Sequence, residues 1–242
     1  KEGAEHVPVV IKVTPQVADI IEVVEAVREG GADAVCASNT IPSLTAVDLD
    51  DFTPIPKLSG KSTYGGYSGP AIKPISLRTI AEIARHTGIP ITGTGGPTTH
   101  LDAIEFMAVG ATTVQFCTAV MHYGYDLIDD LLGGLTYYLI EHGFHSPMEL
   151  IGRALPHIGT HDELRYDRAV VSHLDESLCI GCGRCYVACR DGGHEAVLFD
   201  AERRVAWSDP DKCVGCGLCP LVCPVTGCIT MRWKDEVTTP EA

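Results

Sequence analysis

The first 145 residues alternate between short apolar runs and segments with helical periodicity. Residues 7–13 and 32–37 are apolar runs of the length and composition typical of buried parallel strands. Between them, residues 19–29 place apolar side chains three and four positions apart, which predicts an amphipathic helix that Gly30 and Gly31 end. This part of the chain therefore begins with a strand, a helix and a second strand.

The same alternation continues after a long loop rich in Pro, Gly, Ser and Thr, the kind of loop that is usually functional. Strands are predicted at 90–92 and 113–117, and helices at 74–86, 99–109 and 126–141. Four such units in series predict a parallel α/β sheet with covering helices. An open doubly wound sheet and half of a (β/α)8 TIM barrel both fit. The G-x-G-x-x-G fingerprint of a dinucleotide-binding doubly wound sheet does not follow the first strand. A complete barrel needs about 250 residues, so four units in this length make half of one, and we favour the half-barrel.

The remaining residues divide into a connection and a cysteine-rich region. We expect a barrel domain at 1–145, a connecting segment at 146–171 and a small α+β domain at 172–242. The last region contains an internal repeat, in which each cysteine run is followed by a short apolar stretch, at 196–199 and 228–231. The repeat predicts two similar halves packed together.

Eight of the eleven cysteines form two copies of a C-x2-C-x2-C-x3-C pattern, which is typical of bacterial ferredoxins with two 4Fe–4S clusters. In that pattern three thiolates bind one cluster and the fourth binds the other. The first predicted ligand set is Cys179, Cys182, Cys185 and Cys223. The second predicted ligand set is Cys213, Cys216, Cys219 and Cys189. Structural zinc and disulfides are the rival interpretations. Zinc rarely uses this triplet-plus-one form, and disulfides need an oxidising compartment.

Composition narrows the possible partners. The net charge of −14 argues against nucleic acid as a partner and is compatible with a basic redox partner. No apolar stretch approaches the roughly twenty residues of a membrane span. Thiolate ligands suit a reducing compartment, so we expect a cytoplasmic protein. The chain starts at Lys1 and runs almost directly into a strand, and we expect it to be a piece of a longer polypeptide.

Candidate chemistry lies after the predicted strands, where barrels of this kind carry their sites. Lys12 ends the first strand, either as an ion-paired or snorkelling side chain or as a cation beside a flavin. Asn39 and Thr40 follow the second strand, as turn residues or as partners of an amide-like substrate edge. The loops after the third and fourth strands are the usual phosphate site of a barrel; they carry Gly95, Gly96, Cys117 and Thr118.

Five motifs in order, followed by the two-cluster tail, resemble dihydropyrimidine dehydrogenase in its FMN-binding and pyrimidine-reducing portion. The motifs are Ile-Lys-Val-Thr-Pro, Ala-Ser-Asn-Thr, Tyr-Gly-Gly-Tyr-Ser-Gly, Thr-Gly-Gly and Gln-Phe-Cys-Thr-Ala. The resemblance covers nearly the whole chain and implies the C-terminal half of the barrel. It also implies that FMN contacts Lys12, Gly69, Thr94, Gly95, Gly96, Cys117 and Thr118, and that Asn39 and Thr40 bind the pyrimidine. Cys-Thr stands where the family has Cys-Ser.

The resemblance further implies reduction of uracil or thymine with electrons from NAD(P)H. They would come from an FAD-containing reductase subunit or domain, in an oligomer. The family's general-acid cysteine lies in the other half of the barrel, so we expect it upstream; Cys36 and Cys117 lie in or at the ends of strands and do not fit that role. Two alternatives stay open: a dihydroorotate dehydrogenase with a fused ferredoxin, and, for this piece alone, an electron-transfer module. Cys228 lies outside the cluster pattern and is predicted to be a buried small side chain.

Overall fold

The computed structural model describes residues 7–164 and 167–237. The outer ends of the predicted barrel and cysteine-rich domains, and residues 165 and 166 of the predicted connection, lie outside these ranges. The chain divides into two compact units, Lys1–Ile158 and Gly159–Ala242. None of the helices in the described ranges is both long and apolar enough to cross a membrane.

The first unit contains the strands and helices that the apolar pattern predicts, together with short elements that it does not. The strands are β1 (Val10–Val13), β2 (Ala34–Ala37), β3 (Ile41–Ser43), β4 (Ala46–Val47), β5 (Pro54–Ile55), β6 (Gly65–Tyr67), β7 (Ile91–Gly93) and β8 (Thr113–Val114). The helices are α1 (Ile20–Glu29), α2 (Lys73–His86), α3 (His100–Ala108), α4 (Thr118–Tyr123) and α5 (Leu127–Glu141).

A four-stranded parallel sheet in the order β1-β2-β7-β8 is the centre of this unit. The order follows the chain, as in a (β/α)8 barrel, whereas a doubly wound sheet reverses its order at a switch point. The sheet does not close into a barrel within the described residues. The parallel α/β architecture is therefore confirmed, and the half-barrel remains a prediction.

The core lies on one face of this sheet. Val13, Val35 and Ile91 point to that face and form one buried cluster with side chains of α1, α2 and α3. The other face carries Lys12, which is exposed, Thr92, which is half-buried, and Cys36, which is buried. A doubly wound parallel sheet is covered by helices on both faces, whereas in the described residues helices pack on one face of this sheet, which fits a barrel wall better.

The long loop after β2 contains regular structure that the sequence pattern does not show. Strand β3 pairs with β6, and β4 pairs with β5, both antiparallel. These strands are two or three residues long, too short for an alternating pattern to be visible. The predicted long loop therefore contains two short antiparallel ribbons.

The second unit consists of two similar halves. Its elements are β9 (Val170–Leu174), α6 (Arg184–Asp191), β10 (Val197–Asp200), β11 (Val205–Ser208), α7 (Leu218–Val222) and β12 (Ile229–Trp233). Strand β9 pairs with β12 and β10 pairs with β11, both antiparallel. Each cysteine run leads into a helix, and each helix precedes a strand, so the repeat seen in the sequence is also a repeat of structure.

Candidate functional site

Three segments of the first unit meet beyond the carboxyl ends of its strands. Gly69 has φ = +86° and starts the turn that leads into α2. Gly96 has φ = +102°, and a Cβ there would lie 2.8 Å from both Gly69 O and Lys73 N. The methyl group of Thr118, the first residue of α4, lies 3.5 Å from the Cβ position of Gly69. Gly96 needs glycine because backbone meets backbone there, and Gly69 favours glycine because of its positive φ.

Hydrogen bonds tie the same segments to the sheet and to each other. Thr118 Oγ1 donates to Ser68 Oγ over 3.2 Å. Thr94 is buried, and its N–H donates to Ala37 O over 2.7 Å while its carbonyl accepts from Ser38 N–H over 2.8 Å. The loop after β7 is therefore held by β2, and the predicted Gly69, Gly96 and Thr118 lie together. Ser68 was not identified from the sequence, because a serine in a Gly- and Ser-rich loop carries no distinguishing signal.

A row of polar side chains crosses the face of the sheet opposite the helices, called the bare face below. Lys12, Cys36, Thr92 and Thr113 are in register across β1, β2, β7 and β8. Thr113 Oγ1 donates to Thr92 Oγ1 over 3.0 Å, and the Cys36 thiol donates to Gln115 Oε1 over 3.6 Å. Burial raises the pKa of the Cys36 thiol, and the nearby Lys12 ammonium offsets only part of that rise. The surroundings of Cys36 therefore favour the neutral thiol over the thiolate.

Asn39 and Thr40 lie where the second strand ends, beside the β3–β6 ribbon. The Asn39 N–H donates to Val13 O over 2.8 Å, and its Oδ1 accepts from Thr40 N–H over 2.9 Å. The Thr40 side chain packs directly on Gly66, where a Cβ would overlap it. The backbone of Asn39 is thus attached to the end of β1 while its side chain is exposed, and half-buried Thr40 faces the ribbon. Two predicted residues remain: Cys117 is exposed and precedes α4, and Gly95 has φ = +105° and lies so close to Ser76 that a Cβ would overlap its Oγ.

The cysteines of the second unit gather in two groups. Cys189 lines one small cavity together with Cys213, Cys216 and Cys219 of the other run. The sulfur of Cys189 accepts from Ala196 N–H (3.3 Å) and Val197 N–H (3.4 Å). A third such bond runs from Ser172 N–H to Cys213 Sγ over 3.3 Å. Backbone N–H groups aimed at sulfur are the surroundings that iron–sulfur ligands have.

The second group contains the cysteines predicted to bind the other cluster, which are Cys179, Cys182, Cys185 and Cys223. Burial, with the neighbouring Cys179 and Cys182, raises the pKa of the Cys185 thiol to about 11. Burial and the nearby Cys223, Cys179 and Cys185 likewise raise the pKa of Cys228 to about 11. Cys223 thus lies among cysteines of the first run, and a depression of about 960 Å³ opens beside Cys182 and Cys223.

Glycines shape both cysteine runs in the same way. Gly183 (φ = +70°) and Gly217 (φ = +73°) directly precede α6 and α7. Gly215 lies so close to Val170 that a Cβ on Gly215 would stand 2.5 Å from the Val170 carbonyl oxygen.

Cys228 is 3% exposed and its thiol donates to Asp175 O over 3.6 Å, which agrees with the predicted buried side chain. In the described ranges, no three His, Cys, Asp or Glu side chains are grouped as for a single metal ion.

Comparison with known proteins agrees with this division into two units. Residues 1–139 match the family model described as dihydroorotate dehydrogenase, and residues 172–231 match the 4Fe-4S dicluster domain. Together these matches support bound iron–sulfur clusters and a flavin.

Two curated relatives have similar identity but different coverage. The NAD-dependent dihydropyrimidine dehydrogenase subunit PreA of Escherichia coli (strain K12) is 42% identical over 200 residues, which are 81% of this chain and 49% of the relative. The dihydroorotate dehydrogenase B (NAD(+)) catalytic subunit of Pyrococcus abyssi is 43% identical over 148 residues, 61% of this chain and 48% of the relative. The chain spans about half the length of these relatives. Because the match to the dihydroorotate dehydrogenase model covers more than half of this chain, the chain belongs to the dihydroorotate dehydrogenase family.

Proposed function

We propose that the protein to which this chain belongs reduces uracil or thymine to the 5,6-dihydropyrimidine. One observation carries the proposal: the alignment with the dihydropyrimidine dehydrogenase subunit covers 200 residues, more than the first unit contains, so it extends into the cysteine-rich unit. The alignment with dihydroorotate dehydrogenase B covers 148 residues, fewer than that unit contains. The similarity to the dihydropyrimidine dehydrogenase subunit thus includes part of the cysteine-rich unit.

FMN fits the convergence of loops beyond the sheet. Gly69, Gly95 and Gly96 all have positive φ, and the close packing of Gly95 on Ser76 and of Gly96 on Lys73 leaves no room for a Cβ. Backbone N–H groups of such loops can approach a phosphate. Thr94, Cys117 and Thr118 complete the cradle, and Lys12 stands on the bare face of the sheet as the cation for the ring. When bound, FMN would supply the hydride for the pyrimidine ring.

Two 4Fe–4S clusters fit the two groups of sulfurs. We assign Cys213, Cys216, Cys219 and Cys189 to one cluster, and Cys179, Cys182, Cys185 and Cys223 to the other. The N–H groups of Ala196, Val197 and Ser172 would partly neutralise the charge on their ligand sulfurs, which makes reduction easier. Single electrons from NAD(P)H would reach the flavin from a partner FAD reductase through these clusters.

Asn39 and Thr40 form our proposed substrate contact. A carboxamide offers a donor and an acceptor, and a pyrimidine presents the same pair along its amide edges. Asn39 Oδ1 already accepts from Thr40 N–H, which fixes the side chain and leaves its NH2 group for a ring carbonyl. A cysteine elsewhere in the polypeptide would protonate the ring carbon that does not receive the hydride.

We further propose that the sheet is the C-terminal half of a TIM barrel. Its strand order and its single helix-covered face support this, as does the half-length coverage of the relatives. In that assignment residues 1–145 belong to the barrel, 146–171 connect and 172–242 form the cluster domain. We place the protein in the cytoplasm, where thiolates stay reduced.

Dihydroorotate dehydrogenase is the second candidate, favoured by the family match over residues 1–139. A substrate panel separates the two, because orotate carries a carboxylate that uracil and thymine lack. The full-length protein with its reductase partner, assayed without oxygen, should oxidise NADH or NADPH when uracil or thymine is added. Turnover of orotate but neither pyrimidine base would overturn the proposal.

A matched variant tests the substrate contact. Asn39→Asp keeps the oxygen that accepts from Thr40 N–H but replaces the NH2 donor by a second acceptor. We expect kcat/KM for uracil to fall by about tenfold or more, since a buried carbonyl would lose a hydrogen bond and face a charge. An unchanged kcat/KM would remove Asn39 from the substrate site.

A further inference from the structure

A charged pair joins the start of α2 to the first turn of α3. Lys73 Nζ lies 2.5 Å from Asp102 Oδ1 and 2.7 Å from Glu105 Oε2. The Asp102 side chain is 12% exposed and that of Lys73 is 25% exposed, whereas half of the Glu105 side chain faces solvent. Lys73 and Asp102 are 29 positions apart in the chain, so this pair holds two separate helices together.

Asp102 also holds the loop that follows β7. Its Oδ2 accepts from Thr98 N–H (2.7 Å), Thr98 Oγ1 (2.8 Å) and Thr99 N–H (2.8 Å). Thr99 Oγ1 in turn accepts from Asp102 N–H over 3.2 Å, which completes a capping box. Burial raises the pKa of the Asp102 carboxyl, but the bonds from Lys73, Thr98 and Thr99 outweigh it, so the net pKa lies well below the usual range.

The same lysine touches the glycine cradle through its backbone. The Cβ position of Gly96 lies 2.8 Å from Lys73 N, 3.0 Å from Lys73 Cα and 2.8 Å from Gly69 O. Asp102 therefore binds the loop beyond Gly96 on one side and the side chain of Lys73 on the other. A shift of Asp102 or Lys73 would change the distance between the two glycine-bearing segments.

We propose that Asp102 and Lys73 are positioning residues that set the spacing of the phosphate-binding loops. The inference rests on the FMN site proposed above. Lys73 is paired with two carboxylates, so the group carries a net negative charge and does not itself attract a phosphate. Its effect comes through geometry: hydrogen bonds to a phosphate need N···O distances near 2.7–2.9 Å, and loops that drift apart lose them.

Comparison of FMN with riboflavin tests this role, because only FMN carries the phosphate. Full-length protein is stripped of flavin and titrated with each by fluorescence, with flavin affinity and not turnover as the readout. Asp102→Asn and Lys73→Met should each raise the Kd for FMN by about tenfold or more. The Kd for riboflavin should change by no more than about twofold, since the ring seat lies elsewhere.

Glu105→Gln is the matched control, because Glu105 contacts Lys73 but has no bond to the loop in the described structure. It should leave both Kd values unchanged, and circular dichroism on all three variants checks that they fold. Two outcomes would overturn the positioning role but leave the proposed FMN site intact. One is an equal loss of affinity for FMN and riboflavin in Asp102→Asn and Lys73→Met. The other is that both variants keep the wild-type preference for FMN. Wild-type protein that binds both flavins equally would overturn the proposed phosphate site and the inference with it.

Discussion

Gly96→Ala probes the closest backbone contact in the candidate site. Alanine at φ = +102° is strained, which costs about 1–3 kcal/mol. Its methyl group would lie 2.8 Å from Gly69 O and Lys73 N, and such overpacking costs about 1–3 kcal/mol more. Neither neighbour can rotate away, because both contacting atoms belong to the backbone. We expect the free energy of unfolding of the first unit to fall by about 2–6 kcal/mol.

Gly31→Ala is the control for strain alone. Gly31 has φ = +81° but nothing lies within 4 Å of its Cβ position. Urea unfolding followed by circular dichroism should therefore show a loss for Gly96→Ala that exceeds that of Gly31→Ala by about 1–3 kcal/mol. Gly96→Ala should also purify with less flavin. Equal destabilisation by the two substitutions would refute the contact and the tight loop packing inferred from it.

Two further predictions concern helix packing and the cluster domain. Gly133→Ala in α5 has free space and should stabilise the helix by about 1 kcal/mol, whereas Gly134→Ala meets the His100 ring and should lower the melting temperature. A rise in melting temperature for both would contradict the α3–α5 packing. Cys223→Ala should lower iron and acid-labile sulfide content, while Cys228→Ala, outside the ligand pattern, should leave both unchanged. Equal iron loss in the two variants would mean that the assignment of Cys223 is wrong.

Helices and parallel strands follow from the apolar pattern, but their bounds do not. The first strand was predicted from Val7 and begins at Val10; the fourth was predicted to reach Cys117 and ends at Val114. Both strands lie at the edges of this sheet and have a neighbouring strand on one side only. Apolar residues at their ends that lack a hydrogen-bonded partner strand are therefore not part of the sheet. The interior strand β2 matches its prediction more closely, since it has partners on both sides.

The chemistry of the candidate site was predictable where residue spacing carries it. Cysteine spacing indicates cluster ligands because a cubane constrains nearby thiolates. The pairing of Lys73 with Asp102 was not predictable, because each is an ordinary helical residue and nothing in the sequence links positions 29 apart. Side chains that stabilise a loop therefore show no fixed spacing in the sequence, whereas side chains that bind a metal cluster do.

By itself, the sequence determines the order of strands and helices and the repeated cysteine runs. These are local properties, set by side-chain periodicity and by the conformations a backbone can adopt. Tertiary structure alone decides that Gly96 rests on the start of α2, that Lys73 meets Asp102, and that helices cover one face of the sheet. Such contacts depend on the summed geometry of several elements, and residues distant in the chain meet only when all of them have packed.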